Sequence, residues 1–248
     1  MNIPGLRSII YDNGWYWSRD DLNTSLVDNI SSYAVIDFLR ELTVIDNHEA
    51  SALLISNEFT HESAYFTFPD LILSNVPGKM GTSKYAGNSY YHTNSALFLQ
   101  LGFWFDFLKK NNAYDNTRII VVADHGVNIP GIISDEEFPY SGECKEKYNP
   151  VLLFKDFNQH GRLVINNEFM TNADVPSLAL KGLLSDPVNP FTGKPISTES
   201  GKNGIFITSC PFPMVKDHGK YELNIKKDEW FFLKDSIFES KNWKKAEN

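Results

Sequence analysis

Residues 116–126 read NTRIIVVADHG, and the abrupt change of character inside this stretch frames the whole chain. Ile119 to Ala123 make a short, continuous apolar run, rich in β-branched side chains and bounded by polar residues. That is the pattern of a strand covered on both faces of an α/β sheet. The run stops at Asp124, His125 and Gly126. In open α/β sheets ligands gather at the carboxyl ends of the strands, so this reading sets a carboxylate and an imidazole together on one sheet edge. Gly126 is expected to let the chain leave at a dihedral that other residues avoid.

The sequence on either side supports an alternation of helix and strand. Between Tyr90 and Lys110, residues Leu97, Leu101, Trp104, Phe105 and Leu108 mostly recur at threes and fours, which predicts an amphipathic helix leading to the strand. Residues 24–42 share that helical spacing. ASALLISNEF, 50–59, predicts a strand over 50–57, and Gly78 to Gly87 reads as a surface loop. NPVLLFKDF, 149–157, predicts another buried strand, whose charged end, Lys155 and Asp156, is a weaker candidate for the same sheet edge as Asp124. Thr171 is placed to cap a helix with Asp174 in its first turn, where the helix dipole favours a carboxylate. Three prolines and a glycine make 186–195 a turn-rich connection. Beyond Gly204, short β-prone runs (IFITS, YELNI, WFFL) predict a small antiparallel appendage. The expected fold is therefore α/β, a mixed and mostly parallel sheet flanked by helices over 1–203, with a β-rich tail over 204–248.

Bulk properties exclude several classes. The 248 residues are enough for a sizeable core, and 42% hydrophobic with 14% aromatic residues is a globular composition. A net charge of -8, with no basic stripe, argues against a nucleic-acid binder. The apolar stretches are too short for a bilayer-spanning helix and the N-terminus lacks a signal-peptide pattern, so the chain itself is expected to be soluble. Cys144 and Cys210 lack the paired spacing of a zinc site and leave open a single disulfide or two thiols.

Asp124 and His125 are adjacent, so one backbone corner offers carboxylate oxygen and imidazole nitrogen to a divalent cation: zinc, manganese, magnesium or, with more carboxylates, calcium. An isolated Asp-His-Gly would more often be a capping aspartate beside a chance histidine. KDHG, 216–219, repeats the tripeptide without a long buried strand before it and reads as a turn, so the apolar strand is the signal. His61 follows the 50–57 run, where an imidazole can donate to an anionic ester oxygen or assist a leaving group. His92 opens the aromatic helix and is a weaker substrate-binding candidate, since histidines at helix starts are usually structural. His48 and His160 read as surface residues.

These residues resemble a known family. YDNTRIIVVADHG, preceded by LGFWFDFLKKNNA, is similar to the metal-binding strand and its leading helix in the sulfatase branch of the alkaline phosphatase superfamily. THES, 60–63, resembles the family's histidine loop, with Ser63 where proline is common. YNPVLLFKDFN and FMTNADVPSLAL resemble the next strand and the helix carrying its Thr-x-Asp pattern, here Thr171 and Asp174, with Pro176 one place early. The wording is closest to membrane-anchored members related to lipoteichoic acid synthases and phosphoethanolamine transferases, over roughly residues 50–195.

The resemblance implies metal-assisted transfer or hydrolysis of phosphate or sulfate esters on a lipid or glycan carrier. Asp124 and His125 would be metal ligands, and His61 would bind the transferred group or its leaving oxygen. It also implies an N-terminal half that supplies the nucleophile and another acidic ligand, and nothing before residue 50 matches these. The expectation is a C-terminal part of such an enzyme, nearly inert alone, whose parent is anchored in the inner membrane with this region periplasmic or extracellular. A non-catalytic anion- or glycan-binding domain of the same fold is the alternative.

Overall fold

The structure is a computed structural model and describes residues 24–46, 50–61, 82–127, 129, 145–197, 203–208 and 230–246. The second Asp-His-Gly, at 217–219, together with Cys144, Cys210 and His48, lies outside the described residues. Two compact units divide the chain, Met1–Asn116 and Thr117–Asn248. Within the second unit the β-rich tail packs against Tyr148 and Phe169.

The described part of the first unit is helical. Helix α1 (Thr24–Asp37) and the single turn α2 (Leu39–Leu42) replace the one expected helix, the break falling at Phe38. Helix α3 (Ser89–Lys110) begins where Asn88 accepts from the Tyr91 amide, a side-chain cap on an orphan N–H. Phe59 and Ala96 are fully buried and pack with Tyr33 and Leu97. Two long-range bonds hold the helices together: Gln100 Nε2 donates to Tyr33 Oη at 2.8 Å and Trp104 Nε1 to Thr43 Oγ1 at 2.9 Å. The expected 50–57 strand does not form: the segment joins no ladder, and Leu53 and Leu54 are 75% and 94% exposed. An apolar β-prone run becomes a strand only when a neighbour takes up its backbone groups, and no described segment does so here.

In the second unit β1 (Ile119–Val122) pairs antiparallel with β2 (Leu152–Lys155), Ile119 opposite Lys155 and Val122 opposite Leu152. Strands β3 (Ile205–Thr208), β4 (Trp230–Leu233) and β5 (Trp243–Lys245) form an antiparallel sheet in that order; IFITS and WFFL supply two of its strands as expected, the third is Trp243–Lys245, and YELNI, 221–225, lies outside the described residues. Phe231, Leu233 and Trp243 are its buried centre, packed with Tyr148, Phe169, Ile205 and Ile237. The described residues are thus mixed helix and strand with two small sheets. All ladders among the described residues are antiparallel, so they do not carry the mostly parallel sheet expected from the sequence. No helix among them is long and apolar enough to cross a membrane.

Thr171 and Asp174 close a reciprocal capping box: the Thr171 side chain accepts from the Ala173 amide and Asp174 Oδ2 accepts from the Thr171 amide at 2.7 Å. A 3-10 turn, Asn172–Asp174, then leads into α4 (Val175–Leu180). The cap expected from the sequence is present, and Asp174 is buried in holding it.

Candidate metal centre

The backbone after β1 is held at three points. The Ala123 amide donates to Val151 O at 3.0 Å, extending the ladder past the strand. Asn172 Nδ2 donates to both Ala123 O and Asp124 O, at 2.9 and 3.0 Å. The Gly126 amide donates to Lys147 O at 2.9 Å, which seats the corner on the 3-10 turn Lys145–Tyr148. That turn is itself pinned to the tail, since buried Lys145 donates from Nζ to Phe238 O at 2.7 Å.

Gly126 has a different reason from the one expected. It is not among the glycines with positive φ. A Cβ there would instead fall inside the contact distance of Glu146 O and 3.0 Å from its carbonyl carbon. Close backbone approach, not an unusual dihedral, is what demands glycine.

The two donor side chains sit on this anchored corner. Asp124 Oδ1 accepts from the His125 amide at 2.9 Å, leaving Oδ2 3.7 Å from His125 Nε2. His125 Nδ1 lies 2.7 Å from Gly126 O. A carbonyl oxygen only accepts, so Nδ1 carries the proton and, in the neutral ring, Nε2 carries the lone pair. This is the tautomer that metal-binding histidines adopt when the second nitrogen donates to a carbonyl. With ligand distances of about 2.1 Å, donors 3.7 Å apart would subtend about 125° at a shared cation, wider than the tetrahedral angle by about 15°. The spacing admits both side chains as donors to one divalent cation after a small rotation. With side-chain exposures of 89% for Asp124 and 62% for His125, both donors face solvent. Among the described residues no group of three or more histidine, cysteine, aspartate or glutamate side chains is arranged to hold a metal.

The other candidates fall elsewhere. His61 is exposed, in a turn where its amide donates to Glu58 O and where Asn57 Nδ2 ties the approach to Ser32 O. His92 is fully enclosed, with Nε2 2.7 Å from Ala86 O, so it secures the turn before α3 and presents no surface to a ligand. His61 and His92 belong to the first unit, Asp124 and His125 to the second. His160 is exposed, as expected.

Lys155 and Asp156 do not share the edge of Asp124. Antiparallel pairing puts them at the start of β1, the opposite end of the ladder. There Arg118 donates twice to Asp156 Oδ1, at 2.7 and 3.0 Å, and once to Ala179 O, with its guanidinium 4.6 Å from the Phe157 ring centre. The Arg118 hydrogen bond, helped by the Phe157 amide, holds the Asp156 carboxyl below the ordinary range. This is a latch joining β1, β2 and α4.

Two features of the corner were not legible in sequence. Asn172 had only its place next to the Thr171 cap to signal it, and Lys147 belongs to a polar stretch with no periodicity. No protein-family model, curated protein or solved structure matches the chain.

Proposed function

We propose that this chain is the C-terminal part of a sulfatase-like, metal-dependent hydrolase or transferase of phosphate or sulfate esters. The carrying observation is the Asp124–His125 pair, with Nδ1 engaged by Gly126 O and Nε2 turned to the same side as Asp124 Oδ2. Asp124 and His125 would hold a divalent cation, which when bound polarises an ester oxygen and offsets developing negative charge. The chain's own share is to fix the tautomer and the donor spacing through Gly126, Lys147 and Asn172. His61 would bind the transferred group or its leaving oxygen.

The two donors found among the described residues would hold a cation weakly by themselves; in this reading a further acidic ligand and the nucleophile belong to an N-terminal half of a longer parent. That half would also complete the mostly parallel sheet and carry the anchor to the inner membrane, leaving this region periplasmic or extracellular. Under the alternative, a non-catalytic anion- or glycan-binding domain, the corner would bind without turnover. Titration of the chain with Mn²⁺ and Zn²⁺, followed by calorimetry, tests the centre. Weak binding lost in Asp124→Ala supports it, and binding that is absent or unchanged in the variant removes the assignment.

A further inference from the structure

The turn-rich connection after α4 folds back on itself as a short hairpin, 187–196. Val188 bridges Pro195 in antiparallel sense, the Ile196 amide donates to Pro187 O at 2.8 Å and the Asn189 amide to Lys194 O at 2.9 Å. Pro190 to Gly193 form the tip, and Asn189 holds them. Its Oδ1 accepts from the Phe191 and Thr192 amides at 2.9 and 3.2 Å, and its carbonyl accepts from the Gly193 amide at 2.9 Å. Gly193 closes the turn at a φ of 66°, and the ring of Pro190 fixes the backbone before Phe191. The tip is thus preorganised by its own hydrogen bonds.

This tip holds out a ring. Phe191 is 95% exposed, more than any other large apolar side chain among the described residues. Pro190 beside it is exposed, and Leu183, Leu184 and Val188, earlier in the same stretch, are each more than half exposed. Single apolar side chains at a surface are ordinary, whereas five within nine consecutive residues mark a surface for contact.

The charge of the hairpin tells which contact. It carries Lys194 and no carboxylate, in a chain of net charge -8, and Asp186 and Glu199 lie outside it. Lys194 is exposed, and no ion pair among the described residues engages it. Because Asn189 faces Lys194 across the hairpin, the cation stands one residue pair behind the tip. An apolar ring leads and a cation follows, which is the order that matches a phospholipid layer entered from water: acyl chains beneath, phosphates above. The flexible lysine stem lets the ammonium stay at the phosphates while the ring goes deeper. A protein pocket would take the ring alone; the cation behind it is what a layer of phosphates engages. At about 0.1 M salt the charge of the rest of the chain is screened beyond about 10 Å, so the hairpin's own charge governs the contact.

We propose that the 187–196 hairpin is a membrane-contact element, in which Phe191 enters the boundary between headgroups and acyl chains and Lys194 meets the lipid phosphates. The contact is shallow and reversible, since one ring and one cation bury far less than an amphipathic helix or an acyl anchor. That a membrane lies within reach rests on the reading of a membrane-anchored parent; the lipid chemistry of the hairpin does not.

The test is co-sedimentation of the full chain, in the presence of a chelator, with vesicles of phosphatidylcholine alone and of phosphatidylcholine and phosphatidylglycerol in equal parts. Binding is expected to both at millimolar lipid, and about fivefold tighter to the mixture, a margin set by one cation near an anionic surface. Phe191→Ser is expected to weaken binding to both about tenfold, from the apolar area of the ring. Its fold should be unaffected, because the Asn189 bonds reach the backbone of residue 191 and the ring itself is exposed. Lys194→Gln is expected to remove the margin between the two vesicles. In Phe191→Trp the added indole is expected to be quenched by lipids brominated along their acyl chains, beyond any quenching of the chain's own five tryptophans.

No sedimentation with either vesicle, binding unchanged in Phe191→Ser, equal binding to the two vesicles or an unquenched indole at position 191 overturns the proposal. Self-association that is lost in Phe191→Ser, without vesicle binding, would give the tip to a second copy of the chain and overturn it as well. Asp124→Ala is expected to bind vesicles as the unaltered chain does. Vesicle binding by a chain that takes up no Mn²⁺ or Zn²⁺ would sustain the hairpin while removing the metal centre, so the two readings fail separately.

Discussion

Replacing Gly126 with alanine tests the seat of the corner directly. The added methyl would lie 3.0 Å from the Glu146 carbonyl carbon and 3.3 Å from that of Lys147, with the Glu146 oxygen nearer still. These are backbone atoms of a turn whose Lys145 and Glu146 are buried, so the neighbour cannot swing aside as a flexible side chain would. The corner must lift, straining the Gly126 amide bond to Lys147 O. Overpacking of about 1–3 kcal/mol and a lost hydrogen bond of roughly 1 kcal/mol give a destabilisation of about 2–4 kcal/mol. With a urea slope of about 2 kcal/mol per M, the unfolding midpoint should fall by about 1–2 M. The indole NMR signals of Trp230 and Trp243, both in the unit that holds Gly126, report this transition. Gly102→Ala is the control: it lies inside α3 with no atom within 4 Å of the added methyl, and it should stabilise its unit by up to about 1 kcal/mol. A Gly126→Ala midpoint within about 0.3 M of the parent would refute the close approach on which the corner depends.

Asn172→Ala removes both amide bonds to the strand exit, and should weaken Mn²⁺ binding about tenfold while costing the exposed site under about 1 kcal/mol of stability; unchanged affinity in calorimetry would show that the clamp does not position Asp124. Arg118→Lys cannot reproduce three donated bonds and a stacked plane, and should destabilise the second unit by about 1–3 kcal/mol in urea titrations. The Asp156 carboxyl is depressed in the folded state, so its contribution is in place above the unfolded value of about 3.9 and is lost as pH falls through the folded one. Acid unfolding below about pH 4 should therefore be shallower in Arg118→Met than in the parent, and parallel curves would contradict the latch. His92→Ala should destabilise the first unit by about 2–3 kcal/mol in urea titrations; an unchanged unfolding midpoint would contradict its role in securing the turn before α3.

Much of the local structure is legible in residue order. The β-branched run before Asp124, the spacing of apolar residues through α3 and the Thr171–Asp174 cap all form where periodicity and side-chain chemistry place them. Each depends on neighbours within a few positions, so short-range preferences suffice. The 50–57 run shows the limit of that reasoning. Its composition is that of a strand, yet Leu53 and Leu54 stay exposed, because a strand is a property of a pair.

The sequence alone determined that Asp124 and His125 share one corner at the end of an apolar strand, since adjacency in the chain guarantees it. The direction of β2 was left to tertiary structure, and with it the fate of Lys155 and Asp156: antiparallel pairing carries them to Arg118, at the far end from the corner. Tertiary structure also decided why residue 126 is glycine and which His125 nitrogen is available, and it brought the Lys147 carbonyl to the Gly126 amide. Contacts between residues tens of positions apart in the chain depend on how strands pair and turns dock, and no periodicity in residue order encodes them.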